Sequence, residues 1–402
     1  MNIAEAKERV VEAGRKLVES KLIARTWGNV SCRISESRFV ITPRGRDYLS
    51  LTPDDIVEVE ISDCSYSGDI KPSSEKGIHA AVYRQHPDVH FVIHTHQENA
   101  SVVSAVGVDS MKVEGGLPLL GGEVICAPYA LPTTKKLAQS VALTLTRSKG
   151  NAVILTNHGA LCFGENDDQA FTVASELENA CDRFVTGHYL RVSGHTDYDP
   201  DQMRRYAISR LTGSAEMVPG SMQQGCFSEA ERTGNGFRMH MSGGGIVNVK
   251  FDQLDASLPE EARMYHNIFK KHRKINYIVH ANTPNIAAVS HVGITLRPYL
   301  DDFAQLVGTS VKTVEKHSAP INAALKGASA VFIRKSGALC CGGSKGDAAA
   351  VAMVMEKNCK AFIGALLFGD KSKPIHRLEC ALMRFIYLKD YSKAIKKPSL
   401  TR

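Results

Sequence analysis

Two histidines separated by one residue end an apolar segment of the sequence, Phe91-Val92-Ile93-His94-Thr95-His96. Because side chains alternate between the two faces of a β-strand, His94 and His96 are expected on one face. A third histidine, His158, ends a second apolar segment at residues 152–158. Three imidazoles around one divalent ion leave a fourth position open, which is typical of catalytic rather than structural zinc sites. The spacing predicts a catalytic metal site, with ordinary polar residues at strand ends as the alternative.

An acidic residue, Glu75, begins a helical pattern over residues 75–86 and follows two serines that are natural helix caps. The helix dipole favours a carboxylate in the first turn, so capping alone explains Glu75 in most proteins. Beside a metal ion, the same carboxylate can act as a general base on a carbon acid whose conjugate anion the metal stabilises. The residues alone leave both interpretations open.

A third feature is the turn Gly28-Asn29, which precedes the strand pattern Phe39-Val40-Ile41. Successive backbone N–H groups in such a turn can hold an anion. A Gly-Asn pair is also an ordinary turn sequence. The turn is therefore a candidate anion site only in combination with other motifs.

The order of the motifs Ser73-Ser74-Glu75, His94-Thr95-His96 and Asn157-His158-Gly159 resembles that of the class II aldolase family over residues 1 to about 190. The resemblance implies a mostly antiparallel sheet with helices on its faces. It also implies that Glu75 moves a proton, as in the aldolases, because the related epimerases carry Asp at this position. The resemblance further implies that a substrate phosphate is held by Asn29, Thr42, Gly45, Ser73 and Ser74.

Two positions depart from the family pattern. Arg44 stands where the family usually has Ser or Thr. A guanidinium there can strengthen phosphate capture, can indicate a carboxylate-bearing substrate, or can simply point into solvent. The tyrosine that donates a proton from a neighbouring subunit in the fuculose-phosphate aldolases has no counterpart in residues 111–117. Tyr129 is interpreted as a core or interface residue.

The second half of the chain repeats the first, since His280 follows His94 by 186 positions at the end of a similar apolar segment. Asn282 and Ser336 replace the other two histidines, although Glu261 corresponds to Glu75. One imidazole is not enough to hold zinc. A period of this length makes each copy a complete domain. We therefore predict two tandem class II aldolase-like α/β domains: a catalytic domain at 1–212, a linker at 213–236 and a degenerate domain without a metal site at 237–402.

The composition narrows the class of protein. The 402 residues are 43% hydrophobic and 23% charged, which is typical of a globular chain. The net charge of +7 is spread along the sequence, so we expect no nucleic-acid partner. The ten cysteines lack paired spacing and are expected to be reduced. No apolar segment reaches the ~20 residues of a membrane span, and we expect a cytoplasmic protein.

These observations together predict a metal-dependent lyase that cleaves a small phosphorylated ketose or keto-acid through a metal-stabilised enediolate. One Zn²⁺ per chain is expected, with Mn²⁺ or Co²⁺ as alternatives. The alternatives within the superfamily are a sugar-phosphate 4-epimerase, a dehydratase or a decarboxylase, and outside enzymes an adducin-like binding protein. The resembling aldolases are fourfold rings, so we expect a homodimer that forms a pseudo-fourfold ring, or a larger oligomer. Proton-donor candidates from the second half are Tyr299, His291 and Arg297.

Overall fold

A computed structural model of the chain describes residues 2–20, 22–23, 27–213, 226–241, 243–252, 258–369 and 371–391. Its residue contacts divide the chain into two compact units. The first unit comprises residues 1–188, 368–373 and 386–402, and the second comprises residues 189–367 and 374–385. Each unit therefore consists of more than one segment of the chain, and no single boundary in the sequence separates the two units.

The first unit is built on an eight-stranded sheet with the order β3-β2-β1-β4-β8-β7-β6-β5. All neighbouring strands are antiparallel except β6 and β7, which are parallel. The strands are β1 (Asn29–Arg33), β2 (Arg38–Ile41), β3 (Val57–Glu60), β4 (Phe91–Thr95), β5 (Ser110–Lys112), β6 (Glu123–Ala127), β7 (Ala152–Leu155) and β8 (Gly159–Gly164).

Helices cover both faces of this sheet. The helices are α1 (Ile3–Glu19), α2 (Lys76–Gln85), α3 (Glu98–Ala105), α4 (Lys135–Leu145) and α5 (Asp167–Ser193), the last of which continues into the second unit. On one face, Val10 and Leu17 of α1 pack with Phe91 and Ile93 of β4. On the other face, helices α2 and α4 pack on the sheet, and Val92 belongs to that core. The alternation along β4 therefore places His94 on the α2 side of the sheet.

The second unit has a seven-stranded sheet with the order β11-β10-β9-β12-β15-β14-β13, antiparallel except for β13 and β14. Its strands are β9 (Cys226–Arg232), β10 (Gly236–Met241), β11 (Ile246–Lys250), β12 (Tyr277–Ala281), β13 (Thr313–Val314), β14 (Ala330–Ile333) and β15 (Ala338–Gly342). The helices that follow α5 are α6 (Pro200–Thr212), α7 (Glu260–Lys271), α8 (Pro284–Val292), α9 (Asp301–Leu306), α10 (Ser318–Ala324), α11 (Lys345–Phe368) and α12 (Arg377–Ile386).

Strand β9 corrects the predicted linker, because residues 226–232 lie inside segment 213–236. Its inward-facing residues are small, with Ser228 and Ala230 buried and Glu231 exposed. Ser228 and Ala230 are not the large apolar residues on which a strand prediction depends. Residues 214–225 of the predicted linker lie outside the described residues.

Two mostly antiparallel sheets with helices on their faces confirm the predicted fold class. The boundary at 212 stays a prediction, whereas β9 places the start of the second domain before residue 237. The residue contacts assign residues 189–212 to the second unit. Among the described residues, no helix is both long and apolar enough to cross a membrane.

Candidate metal centre

Strand β4 positions two of the three predicted ligands. His94 lies in the strand and His96 follows its last residue, so both imidazoles lie on the same face as predicted. Their Nε2 atoms are 3.1 Å apart. Both rings are buried. The Nε2 atom of His158 is 3.0 Å from that of His94. The structure therefore brings the three predicted histidines together into a group that could hold a metal ion.

His158 reaches this group from the tight turn that joins β7 to β8. Asn157 in this turn has a φ of 58°, a left-handed conformation that asparagine tolerates better than most residues. A Cβ atom on the next glycine, Gly159, would lie only 2.2 Å from the carbonyl oxygen of Thr95. Glycine at this position therefore allows β8 to approach β4 closely enough for His158 to join His94 and His96.

The hydrogen bond of His94 suits a metal ligand. Its Nδ1 atom lies 2.9 Å from the carbonyl oxygen of Ala160, which only accepts, so Nδ1 carries the proton. A neutral ring then has a lone pair on Nε2, directed at the other two imidazoles. Such backbone contacts orient ligand histidines in known metal sites. Three convergent imidazole nitrogens with this orientation fit a zinc-type divalent ion.

Glu75 lies beside this group rather than capping a helix. Helix α2 begins at Lys76, and the Glu75 side chain makes no capping hydrogen bond. Its Oε1 atom is 3.1 Å from Nε2 of His158, and its Oε2 atom is 3.3 Å from Nε2 of His94. Burial would raise the pKa of Glu75, but His94 and His158 hold it well below its usual value. Glu75 is thus a buried carboxylate at neutral pH, in contact with two of the proposed ligands.

The residues proposed to bind phosphate come from two neighbouring segments. The backbone N–H of Ser73 donates to the carbonyl oxygen of Thr42 at 3.0 Å, and that of Arg44 donates to Lys71 at 2.9 Å. Gly45 has a φ of 68°, which only glycine adopts readily. Thr42 and Ser73 are buried, and Arg44 is half-buried. The structure therefore places the turn at residues 42–45 next to Ser73 and Ser74. The phosphate-binding role of these residues stays a prediction.

Ser74 and Glu75 also line a cavity of about 500 Å³. The opposite wall comes from residues 62–64 and from the start of α4, including Thr134 and Lys135. This volume falls within the range of small-molecule pockets. Its lining includes Glu75 but not His94, His96 or His158, so the cavity lies beside the metal centre and does not contain it.

A chain of buried polar residues behind Glu75 was missed in the sequence. Asn29 donates from Nδ2 to Oε2 of Glu75 at 3.1 Å, and its Oδ1 atom contacts Nε2 of His79. The Nδ1 atom of His79 is 2.7 Å from Oγ of Ser31, which is 2.7 Å from the hydroxyl of Tyr83. The available signal was spacing, since His79 follows Glu75 by four residues and lies on the same helical face.

The corresponding place in the second unit has different chemistry. His280 on β12 contacts the carbonyl oxygen of Ser336 through Nε2, the atom that a metal would need. Glu261 instead forms an ion pair with Lys316, whose Nζ lies 2.8 Å from Oε1. Lys316 also lies 2.9 Å from Glu260. A lysine ammonium therefore faces the acid that corresponds to Glu75.

The proton-donor candidates of the second half lie in ordinary structural settings. The ring of Tyr299 packs against Phe362 with centroids 5.7 Å apart. His291 contacts the carbonyl oxygen of Ala287 within α8, and Arg297 donates to that of Ile375. Tyr129, interpreted as a core or interface residue, is half-buried. A catalytic role for the three second-half residues stays a prediction.

Comparison with known proteins places the chain in a family. Residues 8–185 and 227–363 match the family described as Class II Aldolase and Adducin N-terminal domain. The 5-deoxy-D-ribulose 1-phosphate aldolase of Bacillus thuringiensis serovar kurstaki is 34% identical over 179 residues, which are 44% of this chain and 83% of the relative. The L-fuculose phosphate aldolase of Escherichia coli (strain K12) is 31% identical over 179 residues, 44% of this chain and 81% of the relative.

A solved L-fuculose 1-phosphate aldolase is 30% identical, covers 49% of this chain and 92% of its own, and has a TM-score of 0.44. The family match recurs in both halves, as the internal repeat predicted. The chain therefore belongs to the class II aldolase and adducin family, and it is an aldolase-type carbon–carbon lyase of that family.

Proposed function

We propose that the first unit cleaves a carbon–carbon bond in a small phosphorylated ketose or keto-acid, with one divalent ion held by His94, His96 and His158. The observation that carries this proposal is the convergence of the three Nε2 atoms beside the Glu75 carboxylate. Zinc is the first candidate because three imidazoles and an open position suit it, and Mn²⁺ and Co²⁺ are the alternatives. When bound, the ion supplies a Lewis acid that stabilises negative charge on the oxygen atoms of an enediolate.

Glu75 is the proposed proton-transfer residue. In the condensation direction it takes the proton from the carbon next to the ketone, which leaves the enediolate to attack an aldehyde. In the cleavage direction the proposed proton-donor residue takes the proton from the hydroxyl on the carbon that becomes the aldehyde, the carbon–carbon bond breaks, and its electron pair forms the enediolate. Glu75 in its protonated form then gives a proton to the same carbon, and exchange with solvent restores both groups. The side-chain N–H of Asn29 that donates to Oε2 favours the ionised form of Glu75, which is the form that accepts that proton.

The substrate class follows from two relatives whose names specify a sugar 1-phosphate or a sugar phosphate. We assign phosphate binding to the joined segments near Thr42 and Ser73, a set completed by Asn29, Arg44, Gly45 and Ser74. The hydroxyl groups of Thr42, Ser73 and Ser74 are donors that suit a phosphate, whereas the backbone N–H groups of Ser73 and Arg44 already donate to carbonyl oxygens. Arg44 supplies a cation at the same turn, which a phosphate or a carboxylate would satisfy.

Other reactions of the superfamily would use the same ligands. A 4-epimerase, a dehydratase and a decarboxylase all need a stabilised enolate, so the metal centre alone does not separate them. The carboxylate of Glu75 favours the aldolase, since the resembling epimerases carry Asp. A non-catalytic, adducin-like binding role conflicts with the three assembled histidines, which a binding module does not require.

The second half is proposed to serve the assembly rather than the chemistry. We propose that residues 1–212 form the catalytic domain and that the degenerate partner domain, expected at 237–402, also includes β9. Two chains would then supply four domains to a pseudo-fourfold ring with two metal sites. A residue of the second half, with Tyr299 as the first candidate, would then reach the metal site of a first half as proton donor.

The deciding experiment is a substrate screen with protein reconstituted separately with Zn²⁺, Mn²⁺ and Co²⁺. Phosphorylated ketoses and keto-acids are incubated with each form, and aldehyde, epimer, dehydrated product and carbon dioxide are measured separately. Release of an aldehyde with a three-carbon or two-carbon fragment supports the aldolase. Epimer or carbon dioxide without aldehyde assigns another branch, and no turnover with any metal argues for the binding role.

A further inference from the structure

The buried polar chain behind Glu75 has one consistent direction of hydrogen bonding. The Glu75 carboxylate only accepts, so Asn29 must direct its amide N–H groups to Glu75 and its oxygen to His79. The amide oxygen only accepts, so His79 carries its proton on Nε2. Its Nδ1 atom then accepts from the Ser31 hydroxyl, whose oxygen accepts from Tyr83. Reversal would turn the amide oxygen of Asn29 toward the carboxylate, which is repulsive.

All members of this chain behind Glu75 are excluded from solvent. The exposed fractions of Ser31 and His79 are 0%, and those of Asn29 and Tyr83 are 4% and 2%. A buried polar group that loses its partner destabilises the structure, so such a chain holds its members in one arrangement. Burial lowers the pKa of His79 to about 3, which keeps the ring neutral and compatible with that arrangement.

The second unit shows what the same fold does without this chain. Asn29 is opposite His94 in the pairing of β1 with β4, and Ser228 is opposite His280 in the pairing of β9 with β12. Ser228 therefore takes the place of Asn29. By the same pairings Ala230 takes the place of Ser31, since these residues are opposite Ile278 and Val92 respectively, 186 positions apart.

On the helices, the same offset of 186 relates His79 to Tyr265 and Tyr83 to Phe269. The register is confirmed by two arginines with the same role. Arg33 donates through Nη2 to the carbonyl oxygen of Tyr83, and Arg232 donates through Nη2 to that of Phe269. The polar pair Ser31 and Tyr83 is therefore an apolar pair in the second unit.

Among the described residues of the second unit, the corresponding positions keep a hydrogen bond of 2.5 Å between the hydroxyls of Ser228 and Tyr265. The helix and strands form in both units, so the fold does not require the full hydrogen-bonded series from Asn29 to Tyr83. The full set of contacts is present in the unit that has histidine at all three metal-site positions and is reduced in the unit that has histidine at one of them. Its requirement is therefore linked to the metal centre and not to folding.

We propose that His79 is a positioning residue of the active site: with Ser31 and Tyr83 behind it, it holds the side-chain amide of Asn29 so that an N–H group faces Glu75. This inference rests on the proposed function, because the groups that benefit are the proton-transfer carboxylate and a substrate-binding amide. The amide of Asn29 has a second N–H group, and the proposed function assigns that amide to the substrate phosphate.

The test measures kcat, KM and metal content of full-length variants. His79→Leu removes both ring nitrogens at similar volume and is expected to lower kcat about 10-fold or more, the usual scale for residues that orient a metal site. Metal content should stay at the wild-type value. His79→Gln retains an N–H donor near the Nε2 position and is expected to recover most of the kcat. His266→Leu is the matched control, a buried histidine of the second unit bonded to the carbonyl of Phe251, and should leave kcat unchanged.

If His79→Leu does not fold, the double variant Ser31→Ala, Tyr83→Phe carries the apolar pair that the second unit already accommodates. It should fold and lower kcat about 3-fold or more, since one neutral hydrogen bond to His79 is lost. A kcat within twofold of wild type at full metal content, in either variant, would overturn the proposal.

A measurement independent of activity separates this inference from the proposed function. ¹⁵N NMR of the histidine rings, with the His79 signals assigned by their loss in His79→Gln, reports which nitrogen carries the proton. We expect the Nε2–H form of His79 from pH 8 down to about pH 5, because burial keeps the ring neutral. An Nδ1–H form would overturn the positioning role. Absence of turnover by the wild-type protein on every substrate would overturn the proposed function alone.

Discussion

Each imidazole of the metal centre comes from a residue in, or directly after, a strand or a strand-connecting turn. His94 lies within β4, His96 follows it, and His158 precedes β8. Such positions have a rigid backbone on one side and space for a substrate on the other. Glu75 similarly precedes the first residue of α2. Chemistry at this scale depends on where elements end, which a sequence pattern can indicate.

Substitution of the carboxylate tests proton transfer directly. Glu75→Gln keeps the size of the side chain and its contact with Asn29, but an amide does not accept the proton. We expect one metal ion per chain to remain bound while kcat falls about 10²-fold or more, the usual scale for loss of a positioned base. Steady-state kinetics and metal analysis on the same sample measure both quantities.

The matched control is Glu12→Gln on the exposed side of α1, which should leave both quantities unchanged. Near-normal turnover of Glu75→Gln would remove Glu75 from the proton-transfer role.

Two histidine variants compare the units. His96→Ala removes one of three convergent nitrogens and should abolish activity with loss of most bound metal. His280→Ala removes the second-unit counterpart of His94. His280 belongs to no proposed metal site, since its Nε2 atom contacts a carbonyl oxygen. Its folded fraction should keep the wild-type metal content, as measured by elemental analysis after gel filtration. Loss of metal from His280→Ala would mean that the second unit holds an ion.

At the residue scale, the histidines were predictable because strand periodicity directs His94 and His96 to one face. His79 was not predicted, because a histidine within the apolar helical segment of residues 75–86 is more often a core residue. Its partners Asn29 and Ser31 lie on another element, and no local pattern joins them to it. The sequence also left open whether Glu75 caps a helix or lies beside the metal ligands. Its side chain makes no capping hydrogen bond and contacts His94 and His158.

At the element scale, the close approach of β8 to β4 depends on a missing side chain. Gly159→Ala would place Cβ 2.2 Å from the Thr95 carbonyl oxygen, so the turn that carries His158 would have to move. We expect a loss of about 1–3 kcal/mol in the free energy of unfolding, the usual range for steric overpacking, and weaker metal binding. Urea unfolding monitored by circular dichroism measures the first effect.

The control is Gly187→Ala in helix α5, where a Cβ atom would meet no atom within 4 Å. There alanine should stabilise the chain by about 0.5–1 kcal/mol, because glycine within a helix loses more backbone entropy. Equal effects of both variants would show that Gly159 has no special steric role.

Strand β9 shows the limit of prediction at this scale. The repeat was recognised from β12 and β15, whose apolar residues resemble those of β4 and β8. Strand β9 instead alternates small and acidic residues from Ser228 to Glu231, and its pairing with β12 depends on a partner about 50 positions later in the chain. Only the sheet itself shows that Ser228 corresponds to Asn29.

At the scale of the whole molecule, the sequence predicts the duplication. It does not predict that a segment from the second half of the sequence packs within the first unit. Residues 368–373 lie within the second half of the sequence but belong to the first unit, where Ser372 donates to the carbonyl oxygen of Ala105. A Cβ on Gly107 would lie 2.5 Å from the backbone oxygen of Lys371. No motif in residues 368–373 indicates these contacts, because backbone atoms make most of them.

The packing of residues 368–373 within the first unit predicts the stability of a fragment that lacks them. Residues 1–212 expressed alone lack segment 368–373, so the backbone around Ala105 and Gly107 loses its cover. We expect a lower midpoint in urea than for the first unit within the full chain. A fragment extended by a short linker and residues 368–373 should regain part of the difference. An equal midpoint for both fragments would show that the segment does not stabilise the first unit.

The metal stoichiometry tests the proposed division of labour between the halves. Three convergent imidazoles occur in the first unit, whereas in the second unit Lys316 faces Glu261 and His280 contacts a backbone carbonyl. A lysine ammonium beside the acid opposes a divalent cation, so the full chain should bind one tight ion. With two chains in the proposed ring, the particle should contain two. Light scattering gives the mass of the reconstituted protein, and elemental analysis of the same fraction gives the metal. Two tight ions per chain would refute the degenerate second site, and an active monomer would refute the ring.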